Sequence, residues 1–182
     1  MLLLVHSCDY RKWLWHHWWR FFRASAWKID VHFITGKELF SDQLIKALNI
    51  FKHEYLWYTL DDYWILKNID WDHYEDLAIN GDMDALRLQP NVQFDSLPYR
   101  FELKDGLFKQ KPESAYTMSM QTSIWRREYF LECLEPGLDA WTVERTTPKL
   151  GDVYFVPGLP FWYVDTVRKG EIRKGMEEYF NV

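Results

Sequence analysis

The sequence has 182 residues, of which 48% are hydrophobic and 27% are charged, so it suits one globular domain and excludes a largely disordered chain. Its formal net charge of −5 argues against a broad nucleic-acid-binding surface, and no run of residues approaches the roughly 20 apolar residues of a membrane span. The two cysteines, Cys8 and Cys133, are too few for a disulfide framework, which favours a reducing, cytoplasmic setting.

The first half of the chain predicts strands and helices in alternation. Short apolar or alternating runs indicate strands at 2–5, 29–34, 55–60 and 84–88. Apolar residues at helical spacing indicate helices at 10–26, 41–52 and 70–79. Ser41 and Asp70 are the predicted N-caps of the second and third helices. This alternation predicts an α/β fold with a mostly parallel sheet that has helices on both faces.

The second half predicts a β-hairpin followed by a mixture of short strands and helices. The hairpin turns at Asp105-Gly106, between strands at 99–103 and 107–109. The remaining predicted elements are a strand at 117–120, a helix at 124–134, extended segments at 153–156 and 161–167, and a C-terminal helix at 171–179. No internal repeat or linker interrupts them, so a single domain over 1–182 is expected.

Two adjacent carboxylates, Asp61 and Asp62, come directly after the third predicted strand. Ser7, Cys8 and Asp9 follow the first strand, and the carboxyl ends of parallel strands meet at one edge of a sheet. Paired carboxylates at a buried strand end are costly unless a cation meets them. Mg²⁺ or Mn²⁺ bound to a diphosphate suits this position. The alternative, that both aspartates are turn residues in a solvated loop, stays open at this point.

Several segments, taken in chain order, resemble a known enzyme family. The segment Tyr-Leu-Trp-Tyr-Thr-Leu-Asp-Asp-Tyr-Trp at 55–64 resembles the strand and DxD-like motif of nucleotide-sugar glycosyltransferases with the GT-A fold. Three other parts are similar to small bacterial and viral members of that family, of the chlorella-virus type. They are Leu2–Asp9, Ser119–Trp125 followed by Trp141–Glu144, and Tyr163–Gly170.

The resemblance implies a GT-A fold, which is a Rossmann-like, mostly parallel sheet flanked by helices in a single domain. Residues 1–90 would form the nucleotide-binding half and residues 91–182 the acceptor-side half. The implied activity is metal-assisted, inverting transfer of a sugar from a nucleotide-diphosphate sugar to a glycan or other hydroxyl acceptor. A UDP-sugar is the favoured donor, and Mn²⁺ or Mg²⁺ is the expected cofactor.

The resemblance also implies roles for the residues at the two strand ends. Ser7, Cys8 and Asp9 would hold the base and ribose of the donor, since a carboxylate accepts hydrogen bonds from ribose hydroxyls. Asp61 and Asp62 would hold the divalent ion, and Asp61 would also contact the donor. The ion would act as a Lewis acid on the departing nucleoside diphosphate.

A carboxylate on the acceptor side is the implied general base. Glu144 ends the segment that resembles the base-bearing region, and Asp139 is the second choice. A structural role for Glu144, as the start of a helix or in an ion pair, stays open.

Four further residues are candidates for polar contacts with the substrates. Arg87 and Gln121 are expected near the donor or acceptor, and Arg168 and Lys169 near the diphosphate. The sequence departs from many GT-A enzymes in one respect. No histidine follows His73, so a C-terminal histidine ligand for the ion is missing.

Other classes of protein compete with the transferase interpretation. A nucleotidyltransferase usually has a glycine-rich loop after its first strand, whereas Leu2–Lys12 contains no glycine. A non-catalytic carbohydrate-binding domain would use the abundant aromatic rings, 19% of the residues, as platforms. Such domains are usually all-β, which the predicted helices disfavour. An inactive transferase domain is a further alternative.

Overall fold

The computed structural model describes residues 1–25, 28–66, 68–88, 101–104, 106–110, 118–146, 151–157, 163–168 and 171–180. The strands are β1 (Leu2–His6), β2 (Asp30–Ile34), β3 (Tyr55–Leu60), β4 (Tyr63–Ile65), β5 (Ala85–Arg87), β6 (Phe101–Lys104), β7 (Leu107–Gln110), β8 (Ser123–Arg126), β9 (Val153–Phe155), β10 (Tyr163–Asp165), β11 (Val167–Arg168) and β12 (Glu171–Ile172). The α-helices are α1 (Leu14–Ala24), α2 (Phe40–Ile50), α3 (Trp71–Asn80), α4 (Arg127–Glu132) and α5 (Ala140–Thr146). Within the residues described, 3-10 helices cover Asp9–Arg11 and Glu177–Tyr179.

Among these residues, eight strands form one sheet in the order β2-β1-β3-β8-β5-β9-β7-β6. The pairs β1–β2, β1–β3 and β5–β9 are parallel. The strands β8 and β7 run antiparallel to their neighbours, so the other six strands of the sheet share one direction. The predicted α/β class is confirmed, and the sheet is Rossmann-like with a reversed strand at its centre.

Helices cover both faces of this sheet, as the alternation of strands and helices predicts. Along β1, Leu3 and Val5 join the cluster that contains the buried faces of α1 and α3. Leu2 and Leu4 join the opposite cluster, with residues of α2, α4 and α5. A strand that is buried on both faces is apolar throughout, which explains the continuous run in β1. None of the described helices is long and apolar enough to cross a membrane.

The predicted elements around residues 117–134 are partly wrong. The described residues 118–120 are not a strand, and Thr117 lies outside the described residues. The helix expected from Ile124 begins at Arg127, because Ser123–Arg126 forms β8 between β3 and β5. A short apolar run buried on both faces has no periodicity that separates strand from helix.

The predicted helix at 171–179 is also wrong. Glu171–Ile172 forms β12, which pairs with β11, and Gly175 has a left-handed φ of 86° that interrupts any helix. Only the short 3-10 helix at Glu177–Tyr179 follows. The segment is mostly exposed, so no apolar stripe packs it as an α-helix.

The two predicted N-caps have different outcomes. Asp70 caps α3 as expected, since its carboxylate accepts a hydrogen bond of 3.1 Å from the backbone N–H of His73. Ser41 is not the N-cap of α2, because the helix begins at Phe40. Its buried hydroxyl instead accepts a hydrogen bond of 2.9 Å from the backbone N–H of Leu138. The prediction failed because the serine is used to join α2 to a distant loop.

Candidate functional site

The carboxyl ends of β1 and β3 lie side by side, as their parallel pairing requires. Ser7 follows β1 and donates a hydrogen bond of 2.5 Å to Oδ2 of Asp61, which follows β3. The indole N–H of Trp15, on α1, donates to the Ser7 hydroxyl at 2.9 Å. The expectation that Ser7 and Asp61 meet at one edge of the sheet is therefore met. We call this edge the rim.

Arg11 lies across the double aspartate. Its Nη2 is 2.7 Å from Oδ1 of Asp61, and its Nη1 donates to Oδ2 of Asp62 at 2.9 Å. The Asp61 side chain is fully buried, whereas those of Asp62 and Arg11 are 13% and 17% exposed. Burial lowers the pKa of Arg11, but the two carboxylates outweigh that effect and raise the pKa overall. Burial raises the pKa of Asp61, although Arg11 and Ser7 favour its ionised form.

The carboxylate oxygens at the rim are of the type that binds a divalent ion. They cannot bind one while the Arg11 guanidinium occupies them. Carboxylate oxygens are the ligands that Mg²⁺ and Mn²⁺ prefer. Both oxygens of Asp61 are engaged, by Ser7 and Arg11, and Oδ2 of Asp62 accepts from Arg11. Within the described part of the chain, no group of three or more His, Cys, Asp or Glu side chains is arranged to hold a metal. The metal role of Asp61 and Asp62 stays a prediction that requires Arg11 to move.

Cys8 and Asp9, which were predicted to contact the nucleobase and ribose of the donor, lie on the outer part of the rim. Cys8 is half-buried and Asp9 is exposed at the start of the 3-10 helix. Thr35, which follows β2, donates a hydrogen bond of 2.7 Å to Oδ1 of Asp9, and Lys12 forms an ion pair with the same oxygen at 2.9 Å. The Thr35 hydrogen bond and then Lys12 lower the pKa of Asp9. Asp9 is therefore an ionised, accessible acceptor at the top of β1.

Arg87 and Glu144 form a second charged group at the carboxyl end of β5. The Arg87 side chain is buried, its guanidinium lies 4.3 Å from the ring centre of Phe155, and its Nη2 donates to Oε1 of Gln121 at 3.4 Å. Oε1 of Glu144, on α5, accepts a hydrogen bond of 2.8 Å from the backbone N–H of Met120. Burial lowers the pKa of Arg87 to about 10, and the Glu144 carboxylate opposes that change.

The environment of Glu144 raises its pKa above that of an ordinary glutamate. Burial raises its pKa, while the N–H of Met120 and the charge of Arg87 act in the opposite direction. A carboxylate with a raised pKa takes up a proton more readily from a reacting hydroxyl. The role of Glu144 as general base stays a prediction.

The acids of both charged groups influence the buried hydroxyl of Tyr58. Burial raises the pKa of its hydroxyl well above the ordinary value, and the negative charges of Glu144, Asp62 and Asp61 raise it further. Acids beside β3 and on α5 therefore both raise the pKa of one buried hydroxyl of β3. That hydroxyl is hydrogen-bonded to Nδ1 of His6 at 3.2 Å, which ties β3 to β1.

The remaining predicted residues have separate outcomes. Asp139 is exposed and caps α5, since its Oδ1 accepts from the backbone N–H of Thr142 at 2.8 Å. Arg168 lies in β11, and its side chain is outside the described residues. Lys169 is also outside the described residues. The roles given to these three residues stay predictions.

Sequence reasoning missed Arg11 and the hydroxyl pair of Thr59 and Thr122. The two hydroxyl oxygens are 2.8 Å apart and join β3 to the start of β8 at the rim. Arg11 could have been found from one signal: it is the first arginine after β1, on the loop that the β1–β3 pairing brings to Asp61. No comparable signal marks Thr122, because β8 itself was not predicted.

His6→Phe is expected to reduce the acid sensitivity of the fold. Burial lowers the pKa of His6 to about 4 from 6.5, so unfolding takes up a proton between these values. The stability from this group is complete above pH 6.5 and is lost as pH falls toward 4, by about 3 kcal/mol in total. Urea unfolding of both proteins across this window measures the effect, and an equal slope in both would contradict it.

Comparisons with known proteins support the fold. No family model matches the chain, and the search of curated proteins finds no match. A197 from STIV has a similar structure, with a TM-score of 0.56 and 15% identity over 92% of this chain and 85% of that one. HddC from Yersinia pseudotuberculosis aligns with a TM-score of 0.48 and 10% identity over 90% of this chain and 72% of that one. At such identities the likeness to A197 shows the Rossmann-like α/β fold and nothing further.

Proposed function

We propose that this protein is a glycosyltransferase that takes a sugar from a nucleotide-diphosphate sugar, with UDP-sugars favoured, and transfers it to a hydroxyl of a glycan or similar acceptor. The observation that carries the proposal is the rim, where Ser7, Arg11, Asp61 and Asp62 lie at the ends of β1 and β3. Rossmann-like sheets bind their ligands at the carboxyl ends of the strands. A polar, partly exposed group at that edge supports a nucleotide site.

The donor would lie across β1 and β3. The ionised carboxylate of Asp9 is exposed, so it can accept hydrogen bonds from ribose hydroxyls. Arg11 would place a positive charge beside the diphosphate, and Arg168 and Lys169 are the candidates on the C-terminal side. A divalent ion held by Asp61 and Asp62 would, when bound, stabilise the charge that forms on the leaving diphosphate.

Glu144 would remove the acceptor proton. The acceptor oxygen forms a bond to the anomeric carbon, while the bond from that carbon to the diphosphate oxygen breaks and its electron pair leaves with the nucleoside diphosphate. The proton passes to the Glu144 carboxylate, whose raised pKa suits that task. A base on the side opposite the leaving group corresponds to inversion at the anomeric carbon.

Calorimetric titration with UDP, GDP, CDP and ADP and their sugar conjugates, in the presence of Mn²⁺, tests the proposal. We expect one nucleotide family to bind, and the Asp61→Asn/Asp62→Asn variant to bind it at least about tenfold more weakly. The amides neither hold the Arg11 guanidinium across the rim nor attract a divalent ion.

Asp72→Asn/Asp76→Asn is the matched control, because it removes the same charge from the exposed face of α3. It should bind as the wild type does. If no nucleotide binds, or if the rim variant binds as tightly as the control, the proposed donor site is wrong.

A further inference from the structure

Arg11 occupies the position that a cation would take between the two aspartates. Its guanidinium reaches one oxygen of each carboxylate, at 2.7 Å from Asp61 and 2.9 Å from Asp62. A divalent ion held by the double aspartate would use these same carboxylate oxygens as ligands. The ion and the two guanidinium nitrogens would then compete for the same lone pairs, and their like charges would repel each other.

We infer that Arg11 and a divalent cation are alternative occupants of the double aspartate, and that Arg11 is the tethered counter-ion of the metal-free state. The inference deepens the proposed function, on which it rests for the ligand that would bring the ion in. It does not depend on a nucleotide for its test. The affinity of the double aspartate for a metal ion should therefore depend on the free energy needed to break its ion pairs with Arg11.

The surroundings of Arg11 permit such an exchange. The residue ends a short 3-10 helix, and its side chain is 17% exposed, so part of it is in contact with solvent. Its Nε is buried without a hydrogen-bond partner among the described residues, so that N–H group forfeits nothing when the side chain moves. Asp62 is 13% exposed, which leaves an incoming ion an approach from solvent.

Removal of Arg11 leaves two carboxylates that need a cation. Asp61 is fully buried and burial raises its pKa, so without Arg11 its carboxyl group either takes up a proton or binds another cation. In the wild type, an ion gains these carboxylates only after the ion pair with Arg11 is broken. In an Arg11→Met variant that cost is absent, while most of the side-chain volume is kept.

The test is Mn²⁺ binding to nucleotide-free protein, measured by the electron paramagnetic resonance signal of the free ion. Arg11→Met should bind Mn²⁺ at least about tenfold more tightly than the wild type. Arg23→Met is the matched control, since Arg23 lies on the exposed side of α1 over the Trp19 ring, and it should behave as the wild type does. Equal Mn²⁺ affinities of the wild type and Arg11→Met would overturn the inference.

A second variant, Arg11→Lys, tests the inference if Arg11→Met folds poorly. Arg11→Lys keeps a charge, but a single ammonium does not span both carboxylates as a guanidinium does, so its Mn²⁺ affinity should be intermediate. Thermal melts with Mn²⁺ should show a larger stabilisation of both variants than of the wild type. Absence of that difference in Arg11→Lys would also overturn the inference. No nucleotide is present, so failure of the proposed function would show in the nucleotide titration and not here.

Discussion

Glu144→Gln should slow turnover of the nucleotide-sugar by about 100-fold or more and leave nucleotide affinity unchanged. The amide keeps an oxygen that can accept the 2.8 Å hydrogen bond from the N–H of Met120, so the local structure is retained. It has no carboxylate to take the acceptor proton. Release of nucleoside diphosphate from a panel of UDP-sugars, with water or added glycan as acceptor, measures the effect.

Glu75→Gln is the control for this prediction. Its Oε1 accepts a hydrogen bond of 2.8 Å from the indole N–H of Trp57, so the change has the same chemistry at a carboxylate on α3, far from the rim. Full turnover in Glu144→Gln would show that Glu144 is not the base. Asp139→Asn would then be the variant to assay.

The pH dependence of turnover provides a second readout for Glu144. As the proposed base, Glu144 would act in its ionised form, and burial raises its pKa above the ordinary glutamate value of 4.5. Turnover should therefore rise with pH through the raised pKa and level off above it. The acid limb should lie above the range of an exposed glutamate, and it should disappear in the residual activity of Glu144→Gln.

The location of the rim followed from sequence because it depends only on strand order. Parallel strands joined by helices bring their carboxyl ends to one edge, and the apolar runs of β1 and β3 are long enough to be recognised. Ser7 and Asp61 are therefore neighbours in the fold although 54 positions separate them. The proximity of the two positions follows from the backbone alone.

The contact of Arg11 with the two aspartates was not predicted, because strand order alone brings the Arg11 loop near Asp61 but does not fix where the side chain lies. A three-residue 3-10 helix carries no periodic pattern, and its arginine contacts Asp61 and Asp62, which lie far away in the sequence. The reversed β8 was missed for a related reason. Its four residues are stabilised by pairing with β3 and β5 on either side, which a local pattern does not show.

Arg87→Met should destabilise the fold by about 1–3 kcal/mol, because the buried guanidinium that donates to Gln121 and offsets the charge of Glu144 is lost. Arg87 is 2% exposed, and its charge is the favourable electrostatic partner of the partly buried Glu144 carboxylate. Methionine replaces the guanidinium beside Phe155 with an apolar side chain and removes the charge that offsets Glu144. Arg126→Met is the control, because Arg126 is 25% exposed beside the Tyr55 ring and should cost about 1 kcal/mol or less.

The double variant Arg87→Met/Glu144→Gln separates charge pairing from packing. If pairing accounts for the loss, removing both charges should recover most of the stability in urea unfolding at neutral pH, since no buried charge is left alone. A double variant as unstable as Arg87→Met would assign the loss to packing against Phe155.

The same pairing has a functional consequence. Arg87 lowers the pKa of Glu144, so Arg87→Met should move the acid limb of turnover to higher pH, which a purely structural arginine would not do.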